Sequence, residues 1–270
     1  MAIHPTCRRV AAALLLALAP SAVLAEPVHV LAAGSLRLAF GAIIARWQAL
    51  HPESPVTMEN GPAGWLRERI EKGQPYDVYA SAALAHAQTL SRAGLAGPAV
   101  LFARNNMCAL VKAGTPVTSD TVLALLLAPS TRVATSTPKS DPGGDYAWEL
   151  FRRLDVEHPG AYAALTARAQ QRYGGPPDPQ RPSPPSSAAL IAAGDIDMAL
   201  GYCSGMRQGA GSALKSVALP ALAPVADYGL AVAPQAGPAA AAFALFVLSP
   251  AGQRVLEEHG FHSVGLPANE

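Results

Sequence analysis

Apolar positions along the chain alternate between short strand-like runs and stretches of helical spacing, and the switches between them mark the elements. Val28 to Ala32 reads as a strand. Leu36, Phe40, Ile43, Ile44, Trp47 and Leu50 then recur at helical spacing, with Ser35 placed to cap the helix. Between the two lies a tight turn of small residues, Ala32-Ala33-Gly34-Ser35. Pro55 to Glu59 reads as a second strand and Asn60-Gly61-Pro62-Ala63-Gly64 as a second small-residue turn, followed by the helical "WLRERIEKG", closed by Gly73. "DVYAS", residues 77–81, is a third strand before a helix from Leu84 to Ala93. Three short strands separated by helices predict a parallel, doubly wound sheet.

After Arg104 the pattern begins again. "NMCALVKAG" is a strand, Ser119 to Leu127 a helix and "TRVATSTP" a strand. "DYAWELFRRLD" is a helix opened by the turn Asp141-Pro142-Gly143-Gly144. The Pro-rich "YGGPPDPQRPSPPSS" reads as a surface loop. "SSAALIAAG", the strands "DMALGYC", "SVALP" and "YGLAVAP", and the amphipathic tail "AAAAFALFVLSPAGQRVLEEHGF" complete the chain. Two α/β units with a C-terminal segment left over predict a bilobal α/β protein whose chain crosses between lobes twice. Residues 26–103 and 225–270 form one lobe and 104–224 the other.

Ahead of the first strand, Arg8 and Arg9 form a basic n-region, Val10 to Ala19 an apolar h-region, and Val23-Leu24-Ala25 an A-x-A-like cleavage site. Residues 1–25 therefore read as a secretory signal removed before Glu26. The apolar run is interrupted by Pro20 and falls short of the roughly 20 residues that a bilayer span needs. Cys7 precedes the run, which argues against a lipoprotein. The expected location is the periplasm.

Charge narrows the partners. Lys and Arg number 20 against 19 Asp and Glu, so without Arg8 and Arg9 the mature chain is within one charge of neutral. It carries no cluster of basic residues for a phosphate backbone, which speaks against nucleic acid. Export leaves Cys108 and Cys203, an even count in an oxidising compartment. No G-x-S-x-G elbow surrounds Ser35, no H-E-x-x-H spacing joins the histidines, and no G-x-x-x-x-G-K-[ST] loop is present. The expectation is a protein that is not an enzyme and needs no cofactor.

The ordered set "AAGSL", "LRERIEKGQPYDVYASA", "STPKSDPGGDYAWELF", "DIDMALGY" and "FALFVLSPAGQRVLEEHGF" resembles the periplasmic molybdate-binding proteins of bacterial ABC importers. Their fold is the type II periplasmic-binding fold, and the likeness runs over almost the whole mature chain. It implies two lobes, each a mostly parallel sheet flanked by helices. It also implies a monomer that captures molybdate or tungstate and hands it to an ABC permease. Other small anions, sulfate or an organic acid, and a periplasmic enzyme on the same fold are the alternatives.

The resemblance also implies a site. A tetrahedral dianion offers only acceptor oxygens, so its pocket needs donors and no carboxylate; backbone N–H groups at helix starts supply them. Ser35 matches the family's first binding serine, and Gly143 a position that donates its backbone N–H. Tyr202 matches the tyrosine whose hydroxyl reaches the anion from the second lobe. Pro184 and Pro185 stand where the family has another N–H donor and have none to give, so that role moves to Ser186 or Ser187. Ala63 stands where the family has a serine: it keeps the backbone N–H and lacks the hydroxyl, a loss of about 1.5–3 kcal/mol for a hydrogen bond to a charged group. Ser35, Ala63 and Tyr202 would meet the metal oxyanion through its oxygens. Trp65 and Trp148 are expected near the cleft, so closure should alter tryptophan emission. The fold further implies that "NMCALV" lies antiparallel beside "DMALGYC", which brings Cys108 and Cys203 into range for a disulfide; the alternative is two small buried apolar residues.

Overall fold

The computed structural model describes residues 26–178, 185–206, 209 and 211–265. Residues 1–25, expected from the sequence to be a secretory signal, and residues 179–184 of the Pro-rich stretch, Pro184 among them, lie outside the described residues.

In chain order, the first lobe opens with β1 (Val28–Ala33), α1 (Arg37–Leu50), β2 (Val56–Gly61), α2 (Ala63–Glu71), β3 (Val78–Ser81), α3 (Leu84–Arg92) and β4 (Val100–Asn105). The second lobe follows as β5 (Met107–Lys112), α4 (Val122–Leu127), β6 (Val133–Ser136), α5 (Pro142–Glu157), α6 (Ala161–Arg168), β7 (Gln170–Tyr173), α7 (Ser187–Ala193), β8 (Met198–Tyr202) and β9 (Leu214–Ala218). The chain then returns to the first lobe through β10 (Ala226–Val232), α8 (Pro238–Leu248), α9 (Pro250–Glu258) and β11 (His262–Ser263).

The two sheets have the strand orders β11-β4-β10-β3-β1-β2 and β7-β6-β8-β5-β9. In the first, β1 is parallel to β2 and β3, whereas β10 runs antiparallel to β3 and β4. In the second, β6 is parallel to β7 and β8, and β5 runs antiparallel to β8 and β9. Both sheets are therefore mixed rather than mostly parallel. The cause is the double crossing: β4 leaves the first lobe beside β10, which returns to it, and β5 enters the second lobe beside β9, which leaves it. Neighbouring strands that enter and leave one lobe must point opposite ways.

The first-lobe core stacks Phe40 and Tyr228 edge-on against Phe102, at 5.8 and 6.1 Å between ring centres, and sets Trp47 against Phe243 and Phe246. Burying each such ring contributes on the order of 2 kcal/mol. Leu150, Phe151 and Leu154 of α5 pack with Val122, Leu126 and Met198 in the second lobe. The apolar tail divides at Ser249-Pro250: proline cannot donate to α8, and Ser249 Oγ instead accepts the Gly252 N–H at 3.3 Å to start α9. Gln253 is buried but satisfied, donating to the carbonyls of Phe102 and Val247 at 3.0 Å each. Cys108 and Cys203 form a disulfide, with 4.9 Å between their Cα atoms, which ties β5 to the turn after β8.

Among the described residues no single helix is long and apolar enough to cross a membrane. α8 and α9 pass that test only as a pair bent by 59°, and residues of both pack into the first-lobe core.

Candidate functional site

The lobes meet around a cavity of about 910 Å³. Among the described residues, hydrogen bonds join them at three places. The Trp65 N–H donates to the Ser140 carbonyl at 3.2 Å, Tyr146 Oη donates to the Ala82 carbonyl at 3.2 Å, and Asn105 Nδ2 donates to Ser204 Oγ at 2.7 Å. Contact is closest at Gly64, where a Cβ would stand 2.0 Å from the Lys139 carbonyl oxygen. Glycine alone admits that loop.

From the first lobe the wall is built by the two small-residue turns. β1 and β2 are paired in register to their ends, Ala33 opposite Gly61, so both turns emerge side by side. Asn60 Nδ2 lies 3.3 Å from the carbonyls of Ala32 and Ala33 and pins one turn to the other. Ser35 lies inside the short 3-10 turn Gly34–Leu36 and does not cap α1; no side chain does. Its hydroxyl instead pairs with Tyr228 Oη at 2.9 Å. That partner lies 193 positions away, so local capping logic could not find it. Ala63 opens α2 behind Pro62, and its carbonyl accepts from Tyr79 Oη at 2.6 Å. The first N–H groups of a helix have no carbonyl within it. Here Trp65 N–H is spent on Ser140, and Ala63, the first residue of α2, lines the cavity.

From the second lobe come Ser136, Asp141, Gly143, Tyr202, Ser187 and the segment 171–178. Asp141 is the N-cap of α5, its Oδ1 accepting the Gly143 N–H at 2.9 Å. The Gly143 donor is thus engaged within the chain. A Cβ on Gly143 would lie 2.8 Å from Ser136 Oγ, 3.4 Å from Asp141 Oδ1 and 3.5 Å from Tyr202 Cε2, so these three groups converge on one spot. Burial pushes the Asp141 carboxyl up to about 6; the Gly143 hydrogen bond opposes this and the charge of Asp145 adds to it. The Tyr202 hydroxyl is shielded from solvent and has no hydrogen-bond partner among the described residues. Burial holds its pKa well above the usual tyrosine range, so it stays a neutral donor. Its ring is fixed edge-on to Tyr228 and Tyr146, at 5.7 and 6.3 Å.

Ser35, Ala63, Gly143, Ser187 and Tyr202 all line this one cavity, from both lobes, and Ser186 is not among its lining residues. Ser186 is exposed and caps α7, its Oγ accepting the Ala189 N–H at 3.1 Å. Trp148 packs on Phe151 in the second-lobe core, 5.4 Å between ring centres. Only Trp65 of that pair stands at the lobe contact. The sequence does not single out Asp141, whose placement before Pro-Gly-Gly is a helix-start signal, nor Tyr228 buried behind Ser35, nor the exposed Arg37 lining the cavity. A wall without carboxylates, the expectation for a tetrahedral dianion, is contradicted by Asp141 and Asp178, which both line the cavity. Among the described residues no group of three or more His, Cys, Asp or Glu could hold a metal ion.

Residues 28–262 match the family described as bacterial extracellular solute-binding protein. The protein PM1146 of Pasteurella multocida (strain Pm70) is 36% identical over 183 residues, 66% of this chain and 74% of that one. Two solved structures share the fold at a TM-score of 0.71 and 19% identity. The periplasmic molybdate-binding protein of Azotobacter vinelandii covers 89% of this chain and 99% of its own, and the sulfate-binding protein SubI of Mycobacterium tuberculosis H37Rv covers 88% and 87%. They show the bilobal type II periplasmic-binding architecture. With the matching family spanning nearly all described residues, the chain belongs to the bacterial extracellular solute-binding proteins.

Proposed function

We propose that this exported protein captures a small oxyanion between its lobes and delivers it to an ABC permease in the inner membrane. The observation that carries the reading is the Tyr202 hydroxyl, desolvated and unpaired in the wall of a cavity whose other wall carries the starts of two helices. A buried donor without a partner costs about 1–3 kcal/mol, and an anion oxygen would recover it. Ser35, Tyr202 and the Ala63 N–H then supply donors from both lobes. Molybdate and tungstate are the ligands that the sequence resemblance names, and the likeness to the Azotobacter protein supports them; sulfate has the same kind of support from SubI. The site has no part in chemistry under this reading, and ATP hydrolysis belongs to partner subunits.

A second reading, an organic anion, draws on size. The 910 Å³ cavity lies near the top of the roughly 300–1,000 Å³ range of small-molecule pockets. Arg37 stands at its edge, exposed and in no ion pair among the described residues.

Calorimetry of the mature chain with molybdate, tungstate, sulfate and phosphate tests the proposal. Tyr202→Phe should weaken whichever of these binds by about tenfold, close to 1.5 kcal/mol, without lowering the unfolding temperature of the free protein. Unchanged affinity in both Tyr202→Phe and Ser35→Ala would put the anion elsewhere.

A further inference from the structure

Asp141 places an acceptor where a fully deprotonated oxyanion needs donors. Asp141 lines the cavity, with Oδ1 taken by the Gly143 N–H. Oδ2 abuts Gly174, where a Cβ would stand 2.6 Å away. Among the described residues no Lys or Arg pairs with it. Its charged neighbour is Asp145, of the same sign, whose own Oδ1 accepts the Lys139 N–H at 2.9 Å. Around it stand the hydroxyl of Ser136 and the ring of Tyr202, both within 3.5 Å of the spot a Gly143 side chain would fill.

An ionised carboxylate only accepts hydrogen bonds. Sulfate, molybdate and tungstate at neutral pH also only accept, so each would meet Asp141 oxygen to oxygen, a like-charge contact that disfavours binding. Phosphate differs in one atom: at neutral pH it keeps at least one O–H. That hydroxyl donates to Asp141 while the remaining oxygens accept from Ser136, Tyr202 and the first-lobe turns.

We propose that Asp141 determines specificity, selecting an oxyanion that still carries an O–H, the inorganic phosphate ion or its congener arsenate, over sulfate, molybdate and tungstate. The assignment rests on the oxyanion reading of the same cavity and sharpens it. Ala63 fits the same picture: on the first-lobe side the cavity is lined by a residue without a hydroxyl donor, and on the second-lobe side by a carboxylate residue.

Competitive calorimetry at pH 7.5 and fixed ionic strength, with inorganic phosphate, arsenate, sulfate and molybdate as separate titrants, tests it. Phosphate and arsenate should bind the parent chain at least tenfold more tightly than sulfate or molybdate. In Asp141→Asn the order should reverse or level, with sulfate and molybdate gaining roughly tenfold and phosphate losing as much. Asp141→Ser keeps an N-cap oxygen for Gly143 and should behave alike, and thermal unfolding of both variants checks that they fold. Sulfate or molybdate binding the parent more tightly than phosphate, or an order unchanged in both variants, overturns the role of Asp141 and leaves the oxyanion reading standing. No heat with any of the four ions overturns both.

Discussion

Asp141 also ties stability to pH. Its carboxyl is held near 6 in the folded chain against an ordinary 3.8, so between those values the folded state keeps a proton that the unfolded state has released. Stability of the ligand-free protein therefore falls as pH rises from about 4 to about 6, and is level in this respect above that. Asp141→Asn removes the slope and should stabilise the free protein at pH 7.5 by on the order of 1–3 kcal/mol, since a buried charge is gone and the amide oxygen still accepts from Gly143. Thermal unfolding of both proteins between pH 4 and 7.5 checks this; parallel curves would contradict it. Residues are where the sequence was least complete. Small side chains at strand-to-helix turns mark Ser35 and Ala63 as points of close approach, and this much is local. The partner of Ser35 is not local, because Tyr228 arrives on a strand of the returning segment. Likewise Asp141 reads as a helix cap from its neighbours alone, and its place in the cavity wall depends on how the two lobes face each other.

At the scale of elements, the contact between α2 and the loop from β6 to α5 decides how far the lobes close. The loop carries Lys139 at φ 68°, a left-handed backbone unusual for a lysine, and presents the carbonyls of Lys139 and Ser140 to the start of α2. Gly64→Ala would drive a methyl to 2.0 Å from the Lys139 oxygen. The lobes could close only by displacing that loop. We expect binding of any captured anion to weaken by roughly tenfold or more, with the free protein as stable as the parent or slightly more so, since alanine favours helix over glycine by about 1 kcal/mol. Calorimetry together with thermal unfolding distinguishes this from simple misfolding, and undiminished affinity would contradict it. Most elements were legible because their apolar periods are strong: β1 to α3, β5, β6, α5, β8 and β10 each follow from spacing. β7 was not, since Gln170-Gln171-Arg172-Tyr173 shows no apolar alternation and is a strand only because β6 pairs with it. β4 and α6 are overshadowed in the sequence by the stronger patterns beside them. The mixed sheets follow from the crossings, which no single strand's sequence encodes.

At the scale of the whole molecule, the two crossings run side by side, Ala226 paired with Asn105. The Cys108–Cys203 disulfide sits next to Tyr202, and Asn105 at the end of β4 reaches Ser204 just beyond it. The tyrosine is thereby fastened to the segment that joins the lobes. Closure around a ligand is a common motion for two-lobe binding proteins, and Trp65 is placed to report it. Its backbone N–H bonds the second lobe at Ser140 while its ring lies under Arg69, 4.4 Å from the guanidinium carbon. Trp47 and Trp148 are packed within separate cores and should stay silent. The central claim, capture of an anion between the lobes, is tested most directly by following tryptophan emission of the mature chain during titration with phosphate, sulfate, molybdate and tungstate. A saturable change is expected with at least one of them, abolished in Trp65→Phe and shifted to higher concentration in Tyr202→Phe. A flat trace at saturating concentrations of all four would contradict it.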